Sequence, residues 1–188
     1  LLPTAPTLVL IGGLSGSGKT TVAQELTPHI GAAPGAVLLR SDTERKALRG
    51  ADPATHLAAS AYTPKARAAI YDRILKRAGG ILKTGHSVLI DATFLNPTDR
   101  ERAASLAAEA GTALHRLWLD APLDVLIDRV TARQGDASDA DADVVRAQYA
   151  SALLPDGWQV ISATGSIADT VARARNALHP ADSLATKP

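Results

Sequence analysis

Short runs of apolar, largely β-branched residues recur along the chain, each followed by a longer stretch with apolar positions near helical spacing. Thr7–Ile11 reads as a buried strand, and Val22, Ala23, Leu26 and Ile30 mark a helix ending at Gly31. Pro34-Gly35 punctuates before a second strand over Ala36–Leu39. That strand ends at Arg40-Ser41-Asp42, where a helix through Arg49 starts with Ser41 or Asp42 as its cap. Residues 51–63 read as a loop, with Pro53 and Pro64 at its edges. Ala66, Ala69, Ile70, Ile74 and Ala78 then stripe a long helix expected to close at Gly79-Gly80. Ser87–Ile90 is a third strand ending at Asp91, and Pro97 opens a helix that turns Ala103, Leu106, Ala107 and Ala110 inward. Ala113–Leu119 is a fourth strand, followed by a helix over Pro122–Arg133. Gln134–Asp143 is an acidic connection into a helix carrying Val144, Val145 and Leu153. Trp158–Ile161 makes the fifth strand, and Ile167, Val171, Ala174 and Leu178 stripe the last helix. Leu1–Pro6 is expected to be a leader or the end of a linker and 179–188 a frayed tail, which leaves residues 7–178 as one domain.

Strands that alternate with helices predict an α/β fold with a five-stranded parallel sheet covered on both faces. In such sheets a ligand lies beyond the carboxyl ends of the strands. Gly12, Asp42, Asp91 and Asp120 all fall at or just past those ends, so the polar residues gather at one rim.

The first strand end carries the clearest chemistry. Gly13-Leu14-Ser15-Gly16-Ser17-Gly18-Lys19-Thr20, continued by Thr21, has the spacing G-x-x-x-x-G-K-T of a phosphate-binding loop. A strand, a glycine turn and a helix start build an anion site from backbone N–H groups and the helix dipole. Lys19 can bridge terminal phosphates and the Thr20 hydroxyl can hold Mg²⁺. The domain is therefore expected to bind a nucleoside triphosphate.

Composition narrows the setting. The 188 residues carry a net charge of +1 with 21% charged residues, so no general polyanion-binding field is implied. Cys is absent, which excludes disulfides and thiolate metal sites and fits a cytoplasmic protein. No apolar run approaches a membrane span. Met is absent even at position 1, so the chain is expected to be part of something longer.

Around the loop stand further candidates. Asp42 and Arg45 form D-x-x-R after the second strand; a carboxylate there can take the proton of an attacking hydroxyl, and the arginine can bind substrate or steady transferring phosphate. Asp91 ends Val-Leu-Ile-Asp and can reach Mg²⁺ directly or through water. Ala92 follows it, where motor ATPases often carry a water-activating Glu, and no guanine-reading N-K-x-D occurs. Both absences favour an ATP-dependent transferase. Arg129 and Arg133, four apart on one helix face, suit a lid over about 129–143 that offers guanidinium groups to phosphates. Asp136, Asp139, Asp141 and Asp143 read as dipole partners and caps of the next helix rather than a cation site. Thr93 and Arg100 are candidates for the acceptor side, with Tyr62 as a cap of the acceptor pocket.

Together, G-G-L-S-G-S-G-K-T, L-R-S-D-T-E-R-K, V-L-I-D-A-T-F and G-D-A-S-D-A resemble the AAA-family ATP-binding and kinase domains related to zeta toxin and polynucleotide kinase, over roughly 7 to 178. The chain is especially similar to the ATP-binding domain C-terminal to an aminoglycoside-phosphotransferase-like domain in bifunctional bacterial proteins. The resemblance implies a P-loop NTPase core with a helical lid, ATP with Mg²⁺, and γ-phosphate transfer to a hydroxyl. It makes Lys19 and Thr20 the phosphate and metal residues, Asp42 the base, Arg45 the transfer-site arginine, and Arg129 and Arg133 lid arginines. It also implies a fused N-terminal kinase-like domain. Aromatics are only 3% of the chain, which leaves little with which to stack bases. A small hydroxyl-bearing metabolite, a sugar or aminoglycoside-like compound, is therefore the first expectation for the acceptor. A polynucleotide 5′-hydroxyl, or a non-catalytic ATP-binding regulatory module, are the alternatives.

Overall fold

Five short apolar segments pair into one sheet because none could bury both of its faces alone. A computed structural model describes residues 5–52, 55–132 and 139–178 of the chain. The strands β1 (Thr7–Gly13), β2 (Val37–Arg40), β3 (Val88–Asp91), β4 (Ala113–Asp120) and β5 (Gln159–Ser162) run parallel in the order β2-β3-β1-β4-β5. Leu8, Val9, Leu10 and Ile11 of β1 are all buried, a continuous rather than alternating pattern, because helices cover both faces of the central strand.

The helices are α1 (Lys19–Leu26), α2 (Ser41–Leu48), α3 (Pro64–Lys83), α4 (Pro97–Ala110), α5 (Leu123–Thr131), α6 (Ala142–Ser151) and α7 (Ile167–Leu178). Helices α1 and α7 pack together against the sheet, and α3 and α4 pack on each other as a second layer. Every expected strand and helix is present, so the α/β, five-stranded parallel P-loop architecture holds. The leader before Ala5, the tail from His179, and Arg133 with residues 134–138 of the expected lid lie outside the described residues.

Three expectations about the helices are corrected. α3 does not close at Gly79-Gly80 but continues to Lys83, ending where Thr84 takes up a non-helical conformation and Gly85 turns with φ +82°. Gly79 is a packing residue instead: a Cβ there would come within 3.1 Å of Leu106 Cδ1 on α4. The N-cap of α2 is Arg40, with no side-chain capping bond, so Ser41 and Asp42 both lie inside the first turn. In α7, Ile167 is half-exposed, whereas Ala174 and Leu178 carry the buried face.

Four of the chain's six aromatic side chains link into one core chain. Tyr71 meets Phe94 edge-on at 5.5 Å, Phe94 meets Trp158 at 5.4 Å, and Trp158 meets Trp118 at 6.0 Å. Gly12 must stay small beneath it, because a Cβ there would lie 2.8 Å from the Trp158 ring.

Candidate active site

The carboxyl ends of β1, β2 and β3 converge. In register, Arg40 pairs with Asp91 and Ile11 with Asp91, so one turn after each strand opens on the same rim. The loop Gly13–Thr20 leaves β1 there and enters α1 through Gly18, whose left-handed conformation (φ +86°) serves as an N-cap with no side chain donating or accepting. The first turn of α1 carries no acidic residue, so no side chain of the helix itself opposes an anion at its positive end. Gly16 lies against α5, where a Cβ would fall 2.5 Å from the Leu126 carbonyl oxygen. The Gly16 and Gly18 N–H groups have no hydrogen-bond partner among the described residues, which is how an anion-receiving loop presents itself. Lys19 Nζ donates to the Leu14 carbonyl at 2.7 Å, folded over the loop.

Thr20 and Asp91, far apart in sequence, meet: Thr20 Oγ1 donates to Asp91 Oδ2 at 2.6 Å. Asp91 is buried, and that burial pushes its carboxyl above the ordinary carboxylate range, against the opposing pull of Lys19 and the Thr20 hydrogen bond. A hydroxyl and a carboxylate oxygen are the hard donors Mg²⁺ takes, and a site of this kind draws its other oxygens from phosphate and water. No group of three or more His, Cys, Asp or Glu that could hold a metal ion is gathered among the described residues.

Sequence reasoning missed Arg40. It closes β2 with Nε 3.5 Å from Asp91 Oδ2 and Nη2 3.3 Å from Thr20 Oγ1. The signal was the strand register, since neighbouring parallel strands end side by side.

Asp42 and Arg45 line the same cavity as the loop. Arg45 Nη1 donates to Asp42 Oδ1 at 2.6 Å, and its guanidinium lies 4.7 Å from the centroid of the Tyr62 ring. Lys19, Thr20, Thr21, Asp42, Arg45 and Thr93 all line a single cavity of about 740 Å³. Ser15, Gly16, Gly18 and Asp91 line it too, as do His56, Leu57, Tyr62, Arg67, Tyr71 and Leu95. The arrangement puts a phosphate cradle, a carboxylate and several cations around one space, the ingredients of phosphoryl transfer.

Two expected residues sit elsewhere. Arg100 does not line the cavity; its Nη1 donates to the Phe94 carbonyl at 2.8 Å and the Leu95 carbonyl at 3.1 Å. It steadies a strained turn, since Phe94 has φ +49° in the fully buried core and its N–H is held by the Tyr71 hydroxyl at 3.0 Å. Burial pushes that hydroxyl up to about 12. The turn places Thr93 at the cavity wall, with the Thr93 carbonyl accepting from Gly13 N–H at 3.3 Å. Arg67 does line the cavity, with Nε 3.9 Å from Asp99 Oδ2. Arg129 Nη2 donates to the carbonyls of Ala163 (2.9 Å) and Gly165 (3.5 Å), tying α5 to the turn after β5.

The acidic stretch before α6 divides. Asp141 caps α6, its Oδ1 accepting from Val144 N–H at 2.9 Å, and Asp143 pairs with Arg146. Asp139 departs from the expected cap-and-dipole role. Its side chain is almost fully enclosed against α2, with Oδ1 3.3 Å from Lys46 Nζ and Oδ2 accepting from the Leu57 N–H and the Tyr62 hydroxyl. Burial opposes its ionisation, yet those two hydrogen bonds and the Lys46 charge outweigh it and hold the carboxyl below the usual range. The same contact, after burial, pushes the Tyr62 hydroxyl up. Asp136 lies outside the described residues.

A family model described as AAA domain matches residues 8–155. An uncharacterized protein of Mycobacterium tuberculosis (strain H37Rv) is 34% identical over 144 residues, which is 74% of this chain and 28% of that protein. A Mycobacterium bovis protein matches to the same extent, so the chain spans about 28% of the length of the curated relatives it matches. Among solved structures, a sugar kinase from Janibacter sp. HTCC2649 superposes with a TM-score of 0.67 at 23% identity, covering 97% of this chain and 99% of that one. The Mycobacterium tuberculosis APS kinase in complex with AMPPNP and APS gives 0.66 at 23% identity, covering 94% and 99%. A gluconokinase from Sinorhizobium meliloti 1021 gives 0.62 at 21% identity, covering 93% of each chain. These structures share the P-loop kinase fold with this chain. No helix among the described residues is long and apolar enough to cross a membrane.

Proposed function

Because the chain belongs to the AAA-domain family, which its residues 8–155 match, we propose that it is an ATP-dependent phosphotransferase moving the γ-phosphate of ATP to a hydroxyl of a small metabolite, a sugar or aminoglycoside-like compound. The observation that carries this reading is the placement of the Asp42–Arg45 pair on the wall of the same cavity as Lys19, Thr20 and Asp91. In the reaction the acceptor oxygen bonds to the γ-phosphorus as the bond to the β–γ bridging oxygen breaks. ADP leaves, and the hydroxyl proton passes to Asp42. Arg45 orients that carboxylate through its 2.6 Å contact and offers charge to the moving phosphoryl group. Lys19 and the loop N–H groups hold the β- and γ-phosphates, and Arg129 and Arg133 contribute lid guanidinium groups, Arg129 exchanging carbonyl acceptors for phosphate oxygens. Thr20 and Asp91 would hold Mg²⁺, which when bound neutralises charge between the two terminal phosphates.

A cavity of about 740 Å³ suits a triphosphate with a small acceptor. With four of six aromatics committed to the core, Tyr62 is the aromatic that this cavity offers beside the buried Tyr71, which favours a metabolite over a nucleic-acid end. The curated relatives are several times longer than the matched segment, so a fused N-terminal kinase-like domain is part of the proposal. A metabolite panel screened for ATP consumption, with mass-spectrometric detection of the product, tests it. The expected outcome is one phosphorylated compound formed in step with ADP. ATP–Mg²⁺ binding with no phosphorylated product across the panel would instead leave a regulatory ATP-binding module.

A further inference from the structure

One side chain of the lid-side helix reaches the phosphate loop directly. The Ser15 N–H donates to Gln148 Oε1 at 2.9 Å, a contact across 133 positions that joins α6 to the loop. A backbone N–H can only donate, so it fixes which end of the amide it meets: the oxygen. The Gln148 NH₂ is then forced to the other side. That group has no hydrogen-bond partner among the described residues, and both Ser15 and Gln148 line the cavity. The terminal-phosphate end of the loop is marked by Lys19, whose ammonium rests on the Leu14 carbonyl, the residue before Ser15. Gln148 thus stands where the γ-phosphate, rather than the nucleoside, is expected. Its backbone is firmly based: Val145, one turn earlier on α6, is fully buried, and α6 packs on α5.

We propose that Gln148 is a catalytic residue of the phosphoryl transfer, its amide locked by Ser15 so that the NH₂ donates to an oxygen of the γ-phosphate. The inference rests on the kinase reading above and adds a donor supplied by neither the loop nor the D-x-x-R pair. The donor needs no rearrangement to serve: the hydrogen bond that holds the amide oxygen pre-sets the direction of the nitrogen, which is how a fixed dipole stabilises charge that shifts during transfer. The phosphate dependence follows. An ADP-bound site offers the NH₂ no γ-oxygen, so the contact belongs to ATP alone.

Calorimetric titration of the 188-residue chain with Mg²⁺–AMPPNP and, separately, Mg²⁺–ADP tests the assignment without knowledge of the acceptor. Gln148→Glu keeps an oxygen for the Ser15 N–H and replaces the donor with a second acceptor. It should weaken AMPPNP by about 10- to 100-fold, the range for a lost hydrogen bond to a charged group, with ADP affinity changed by clearly less. Gln148→Met, of similar length with neither donor nor strong acceptor, should show the same discrimination with a smaller loss. Equal weakening of both nucleotides, or no change in either, would overturn the proposal. Tighter binding of both would do so too, making Gln148 a plug that phosphate must displace. If the parental chain bound neither nucleotide, the kinase reading itself would fall, a result told apart from the others by the unmodified protein. Circular dichroism melts of both variants separate these outcomes from misfolding.

Discussion

Replacing Asp42 by Asn separates chemistry from architecture at this site. The structure removes the usual confounder, since α2 is capped at Arg40 without a side-chain bond and Asp42 lies inside the first turn. What Asn gives up structurally is one ion pair and one favourable charge at a helix start. The Asp42–Arg45 pair is an i,i+3 contact whose partners are 29% and 10% exposed, and Asn Oδ1 can still accept from Arg45. A partly exposed pair of this kind is worth a few tenths of a kcal/mol, and the dipole term about 0.3–1 kcal/mol. The summed cost is then about 1 kcal/mol, a fall in Tm of about 2–4 °C for a chain of this length. Loss of a general base lowers turnover by about 10²–10⁴-fold, or about 3–5 kcal/mol of barrier. The two effects differ enough to be read apart. Thermal melts, ATP–Mg²⁺ calorimetry and a coupled ADP-release assay with the acceptor found by screening would measure all three. The expected pattern is a slightly lower Tm, near-parental ATP affinity and a collapse of transfer. Transfer within about threefold of the parent would refute the base assignment and leave Asp42 as a partner of Arg45 alone.

Lys19→Ala should leave the melting temperature near parental, because the side chain is only partly buried and donates back to its own loop, yet remove most ATP–Mg²⁺ binding by calorimetry; unchanged binding would sink the phosphate-loop assignment. Gly16→Ala should lower both Tm and ATP affinity, since φ +86° disfavours any Cβ and this one would meet the Leu126 carbonyl at 2.5 Å; a parental melt would show that the loop adapts. Asp139→Asn should cost about 2–3 kcal/mol, below the full penalty for breaking a buried pair because Asn can still accept from the Leu57 N–H or the Tyr62 hydroxyl. Since the folded Asp139 carboxyl is held low, the stability it brings is complete above its unfolded value of about 3.9 and is lost as pH falls through the lower folded value. The stability gap between parent and variant should therefore stay level from pH 8 to 5 and shrink only below about pH 4; a gap that closes between pH 7 and 5 would contradict the ion pair.

What was legible in the sequence was what a local pattern encodes. The five strands, the glycine loop and the strand-end carboxylate Asp91 each announce themselves within a dozen residues, and the parallel topology then brings Thr20 and Asp91 together without further information. Arg40 was one step less visible: it follows an apolar run, and only the pairing of β2 beside β3 turns it toward Asp91. The misreadings have a common physical cause. Gly79-Gly80 looks like a stop because glycine costs about 1 kcal/mol in a helix, but close packing on Leu106 outweighs that propensity. Arg100 looks like a site residue by its place after the third strand, but its guanidinium donates instead to the two carbonyls of the left-handed turn at Phe94.

The same logic explains why Gln148 was invisible and why Asp139 was read only as a cap or dipole partner. Gln148 sits in no motif, Asp139 falls within the G-D-A-S-D-A stretch, and on its own helix or turn each reads as an ordinary polar position. Their partners, Ser15 and Lys46, are 133 and 93 residues away, so their roles exist only once α5 and α6 have been laid over the loop and α2. Buried polar atoms set the requirement: Lys46 is almost fully enclosed and a bare ammonium there would be prohibitively costly, so a carboxylate must come from some other element. The acidic stretch supplies it. One consequence is that residues 139–148 contact two parts of the cavity lining at once, Asp139 through Tyr62 and Gln148 through Ser15. A substitution at either end of that segment can thus be felt at the other, and the double variant Asp139→Asn with Gln148→Glu measures it: nucleotide affinities that multiply independently would mean two separate anchors, and a departure from additivity would mean one coupled unit.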